Sequence, residues 1–301
     1  IPKKGLAAQR EKELEEKLEA YRSSLSEEQL DAMVEKTKAL EAYQEAGEDP
    51  KALECIPMLK RSDIKKEAAK IVNEELTVDN SLFLYHDVCT NGIGYVDLMF
   101  KTDSIAPEQI PYLGLLKSVL GYVDTEHYTY GELFNEINAN TGGINCGVEV
   151  FDRADSTEEF QAMFSVRGKA LYTKMDFLFK MIGEILNSSK LEDTKRLYEI
   201  VASVKSRAQV NLTGAGHSTA VLRAAAYSSP MAAFQDEMAG IGYYQFIEKL
   251  EKDFEQRKEE TVEELCKLMK KILRPENFMI SYTGERESLE TVQKLAGAVK
   301  A

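Results

Sequence analysis

Three histidines, His86, His127 and His217, and four cysteines are the side chains of this 301-residue chain best suited to metal or nucleophile chemistry. No two of the histidines fall within helix-turn spacing, and Cys55, Cys89, Cys146 and Cys266 form no Cys-x-x-Cys pair. A metal site needs imidazole, thiolate or carboxylate ligands brought together by such spacing, so the pattern predicts no metal ligand and no bound cofactor. No Gly-x-Ser-x-Gly elbow presents a nucleophile, and Gly92-Ile93-Gly94 is followed by neither a helix nor the Gly-Lys-Ser of a phosphate cradle. The remaining candidate is Gly214-Ala215-Gly216-His217-Ser218-Thr219. Glycines ahead of a helix can turn backbone N–H groups towards an anion, and Ser218 or Thr219 is a natural N-cap. His217 and Ser218 are therefore candidates for contact with bound peptide or a neighbouring domain, against the plainer alternative of an interhelical turn.

The composition limits the partners. A formal charge of -13 opposes a nucleic-acid partner, because neutralising phosphates takes concentrated Lys and Arg. No apolar run approaches the about 20 residues that span a bilayer. The scattered cysteines read as reduced core thiols suited to a reducing compartment, a bacterial cytoplasm or an organelle matrix. A chain that begins at Ile1 and stops inside a helical pattern, Ser288 to Ala301, reads as a piece of a longer polypeptide.

Two kinds of periodicity divide the chain. Residues 1–75 are dense in Glu, Lys, Ala and Leu; Leu14, Leu18, Tyr21 and Leu25 form one stripe of a helix beginning near Lys3. Ser26-Glu27-Glu28-Gln29 is a capping-box pattern that starts a second helix, with the stripe Leu30, Met33, Thr37 and Leu40, ended by Gly47 and Pro50. The two are expected to form a hairpin, followed by a connector to Asn80. Residues 76–301 are expected to form an α+β domain. Strand alternation covers Leu82 to Asp87 and Tyr95 to Lys101, and the intervening Asn91-Gly92 predicts a hairpin. Ile144 to Phe151 and Glu159 to Val166 predict another. Helical patterns at 172–186, 192–212, 219–227, 231–250 and 259–273, then a strand over 277–283, predict helices gathered on a mostly antiparallel sheet.

The order of motifs between these elements resembles the pitrilysin and insulinase clan of zinc peptidases. In that clan a His-x-x-Glu-His helix precedes Gly-Thr-x-x-Tyr, another helix, and Gly-Gly opening a strand. Here a helical run from Pro111 to Val123 precedes Thr125-Glu126-His127-Tyr128, a run from Tyr130, and Thr141-Gly142-Gly143. Counting back from Thr125 puts the five zinc-motif positions on Leu115, Leu116, Lys117, Ser118 and Val119, which supply neither ligands nor a carboxylate base. The chain is most similar to the presequence-protease branch, in which a long helical hairpin joins two halves that close around peptides. That resemblance implies that residues 1–75 are the hairpin and 76–301 the non-catalytic third domain, with zinc and catalytic residues carried by the rest of the parent. It also implies partners: the remaining domains of the same polypeptide, and a peptide substrate. An inactive scaffold subunit of the same fold, or a stand-alone peptide-binding module, are the alternatives.

Overall fold

The computed structural model describes residues 4–68, 70, 72–153 and 155–300 and divides into two units, 1–69 and 70–301. Lys3 and Ala301, named above as near-terminal positions of helices, lie outside the described residues. In the first unit, α1 (Leu6–Ser24) and α2 (Glu27–Glu45) are joined through Leu25 and Ser26, and α3 (Pro50–Leu53) follows. The capping box forms as the sequence predicts: Gln29 N donates to Ser26 Oγ at 3.3 Å and Ser26 N to Gln29 Oε1 at 2.9 Å. Neither helix buries a residue, and the stripe side chains Leu14, Leu18, Tyr21, Met33 and Leu40 stay between 41% and 57% exposed.

The second unit is built on a six-stranded sheet of order β1-β2-β6-β3-β5-β4. Its strands are β1 (Glu74–Val78), β2 (Ser81–Asp87), β3 (Ile93–Lys101), β4 (Ile144–Arg153), β5 (Ser156–Leu171) and β6 (Phe278–Gly284). All neighbours are antiparallel except β2 and β6. Between β3 and β4 lie α4 (Ile110–Val119) and α5 (Tyr130–Asn140). After β5 come α6 (Met175–Ser188), α7 (Thr194–Gly214), α8 (Gly216–Ala225), α9 (Pro230–Ala239), α10 (Ile241–Lys252) and α11 (Phe254–Ile272), and α12 (Leu289–Lys300) follows β6. Period-two alternation buries Phe83 and Tyr85 of β2, Val96 and Leu98 of β3, and Ile280 and Tyr282 of β6 in one core with Leu113, Leu116, Leu178 and Ile182 of the helices. Among the described residues no helix is long and apolar enough to cross a membrane.

Three expectations are corrected. The connector up to Asn80 contains an edge strand: β1 pairs with β2 across Asp79 and Asn80, whose φ angles of 47° and 64° make the tight turn. Asn91 and Gly92 do take positive φ, 54° and 81°, yet β2 and β3 are not paired, because β6 lies between them. The loop arches over the end of β6, where Glu285 accepts from Thr90 N at 2.9 Å, Asn91 N at 3.0 Å and Thr90 Oγ1 at 2.9 Å. The helical pattern at 231–250 is two helices broken at Gly240. Buried Asp236 accepts from Ile241 N and Gly242 N at 3.0 and 3.1 Å, and a Cβ on Gly240 would stand 2.5 Å from Asp236 Oδ1.

Candidate functional site

α4 carries the five zinc-motif positions, and the packing explains why they are blank. Leu115 and Val119 are fully buried and Leu116 is 1% exposed, so three of the five positions belong to the core. Lys117 and Ser118 turn instead towards a cleft of about 590 Å³. Nothing on α4 offers a donor set for zinc, and among the described residues no group of three or more His, Cys, Asp or Glu side chains could hold a metal. The residues present do not fit the ion that the clan resemblance implies.

The segment that follows is locally well determined. Thr129 caps α5 through a second capping box, donating its N–H to Glu132 Oε2 at 3.0 Å and accepting from Glu132 N at 3.3 Å. Gly143, at φ 104°, then turns the chain into β4, and a side chain on Gly142 would meet Lys169 at 2.6 Å. The Thr125-to-Tyr128 turn is tied to α6 by a residue that no sequence motif marks. Glu184, 9% exposed, accepts from His127 N at 3.1 Å and lies 3.0 Å from His127 Nδ1. Burial pushes the Glu184 carboxyl up, but hydrogen bonds from Thr125 and His127 outweigh it and hold it below the usual carboxylate range. Its only sequence signal is a lone acid on the apolar face of an amphipathic helix.

The cleft runs along the outer edge of the sheet. Six consecutive residues of β4, Ile144 to Glu149, line it, so it follows the strand's edge and not one face. Because β4 is the terminal strand, its outward N–H and C=O groups pair with no other strand among the described residues. Facing it are Lys117 of α4 and Arg207 of α7, neither of which makes a hydrogen bond or ion pair with a described residue. Burial pulls the Lys117 ammonium below its ordinary range, with Glu149 acting the other way. Glu149 is itself bridged by Arg167 at 3.1 Å, and the same guanidinium holds Asp97 at 2.7 Å. Cys146 is a neutral thiol, pushed up to about 12 by burial.

The structure separates the histidines into β2, the turn before α5, and the first turn of α8. His86 is half-buried, with Nδ1 2.8 Å from Val72 O and Nε2 3.1 Å from Ser281 Oγ; the carbonyl can only accept, so Nδ1 carries the proton. His217 and Ser218 are both exposed at the start of α8. The break between α7 and α8 is a single residue, Ala215, so neither Ser218 nor Thr219 is the N-cap; Thr219 Oγ1 instead donates back to Ala215 O at 3.2 Å.

Comparison with known proteins agrees with this architecture. The sequence model of the peptidase M16 C-associated family matches residues 1–250. Protein HypA of Clostridium perfringens is 34% identical over 293 residues, which is 97% of this chain and 30% of that protein. Presequence protease 1, chloroplastic/mitochondrial, of Arabidopsis thaliana is 28% identical over 286 residues, 94% of this chain and 26% of that protein. The chain thus spans less than a third of the length of these relatives. The fold is similar to that of a conserved protein from Enterococcus faecalis (TM-score 0.54, 13% identity, 75% of this chain and 52% of that one). It is also similar to a peptidase M16 inactive domain from Pseudomonas fluorescens (TM-score 0.50, 14% identity, 76% and 50%). The blank α4, the sheet it packs against and the extent of the family match make the chain a member of the peptidase M16 C-associated family, a presequence-protease-like, non-catalytic domain of the insulinase clan.

Proposed function

We propose that this chain is the supporting middle section of a zinc-dependent oligopeptidase, joining two halves of the enzyme and walling a chamber for unfolded peptides. The observation that carries the reading is α4, whose zinc-motif positions are filled by buried Leu115, Leu116 and Val119. Core packing has taken over a helix that a catalytic domain uses for ligands. The uncovered stripes of α1 and α2 fit a connector that packs on other parts of a longer polypeptide, since apolar side chains at helical spacing are stable when buried. Zinc, the catalytic carboxylate and the peptide substrate belong, in this reading, to that longer protein. The compartment is a reducing one, a bacterial cytoplasm or an organelle matrix, in keeping with the exposed thiols Cys55 and Cys89. Metal analysis of the purified chain with a quenched-peptide assay tests the assignment. The expected result is neither zinc nor turnover; stoichiometric zinc, or cleavage abolished by a chelator, overturns it.

A further inference from the structure

We infer that the cleft along β4 binds an extended peptide segment that adds to the sheet as a further strand and places an acidic side chain against Lys117 and Arg207. The inference rests on the peptide-chamber reading above and gives it an address.

Four observations carry it. The cleft follows the edge of β4 over Ile144 to Glu149, a run of about 20 Å at the usual rise per residue. An unpaired strand edge offers alternating donors and acceptors that an extended chain of any sequence can satisfy, which suits a partner recognised by its backbone. Side chains of a strand laid on that edge point alternately to the two faces of the sheet. On the helix-covered side they meet Lys117 and Arg207, two cations without an anionic partner among the described residues, in a chain of net charge -13. Unpaired positive charge held in a cleft of an otherwise acidic protein is complementary to a carboxylate and costs stability until one arrives. The nearest native carboxylate on the strand, Glu149, is already engaged by Arg167 at 3.1 Å. At the mouth Tyr122 and Phe134, 50% and 55% exposed, supply apolar surface for the neighbouring side chains of the peptide.

The test uses the 301-residue chain and two capped peptides, acetyl-Thr-Val-Thr-Glu-Thr-Val-Thr-amide and its Gln counterpart, so that no terminal carboxylate contributes. Calorimetric titration is expected to show the Glu peptide binding about ten-fold more tightly than the Gln peptide, the worth of one charged hydrogen bond. Lys117→Gln and Arg207→Gln together should erase that preference while weak binding of both peptides persists, and far-ultraviolet circular dichroism should show both proteins equally folded. Hydrogen exchange should slow at the amides of residues 144–149 when the Glu peptide is added. Equal affinity for the two peptides, an unchanged preference in the double variant, or protection elsewhere overturns the site and leaves the chamber reading standing. Failure of both peptides to bind overturns the inference as well. The chamber reading falls separately, on zinc content and turnover of the chain itself.

Discussion

Leu18 and Leu115 are the same residue in the same kind of element, and the first is 57% exposed while the second is fully buried. Their helices differ in what surrounds them. α1 and α2 carry regular apolar stripes with no buried residue, whereas the ten residues of α4 bury seven. A helical stripe announces that a face wants cover; only tertiary packing supplies it, and propensity alone holds a helix weakly. The first unit owes its shape to local rules, good helix formers and a capping box, and the second to long-range burial. Substitutions in the two regions should therefore separate cleanly.

The largest effect is expected at the core. Leu115→Ala should lower the unfolding free energy of the second unit by about 2–5 kcal/mol, read from urea denaturation, because it opens a cavity under the sheet. A loss below about 1 kcal/mol would mean that α4 is not the central packing element described here. Next comes Glu184. Its folded carboxyl sits below the ordinary value, so the unfolded chain takes up a proton first as pH falls. The stabilisation is fully present above about pH 4.3 and drains away below it. Glu184→Gln should flatten the acid limb of the stability curve, with the Thr125-to-Tyr128 turn the first to exchange its amides; an unaltered limb would break the assignment. Smaller still, Ser26→Ala removes one cap and should cost α2 about 1 kcal/mol of local stability. That loss should register as faster exchange at residues 27–30 without a shift in the global denaturation midpoint. Leu18→Ala should change the stability of the isolated chain by no more than about 0.5 kcal/mol, since the side chain is largely in water already. A large loss there would erase the contrast with Leu115.

What could be read without coordinates followed the range of the forces involved. Ser26 with Gln29, the β4–β5 pairing, and Gly142-Gly143 at the start of β4 are set by residues a few positions apart, and their sequence patterns are specific. Asn91-Gly92 shows where such reading stops. Its dihedral angles are those of a hairpin turn, but the partner of β2 is β6, with Tyr85 and Gly284 joined across 199 positions by a hydrogen bond from the Tyr85 hydroxyl. No local pattern encodes that insertion. The break at Gly240 was hidden for a similar reason, because it depends on an aspartate inside the preceding helix, where a polar residue usually marks a solvent face. For the cleft, the helix and the strand opening were visible as motifs, whereas the pairing of Lys117 with Arg207 across it required α7 to be placed. His217 and Ser218 stood out in sequence through their glycines, and lie exposed on the first turn of α8.

The central place of β6 also has a consequence in time. The sheet closes only when residues 278–284 slot between β2 and β3, so during synthesis both strands must wait for nearly the whole second unit to be made. Until then each presents an open edge to the other chains around it. At about 5–20 residues per second on the ribosome, that exposure lasts on the order of ten seconds or more. The wait makes this unit a natural client for holding factors and puts the pressure for rapid completion on the final strand.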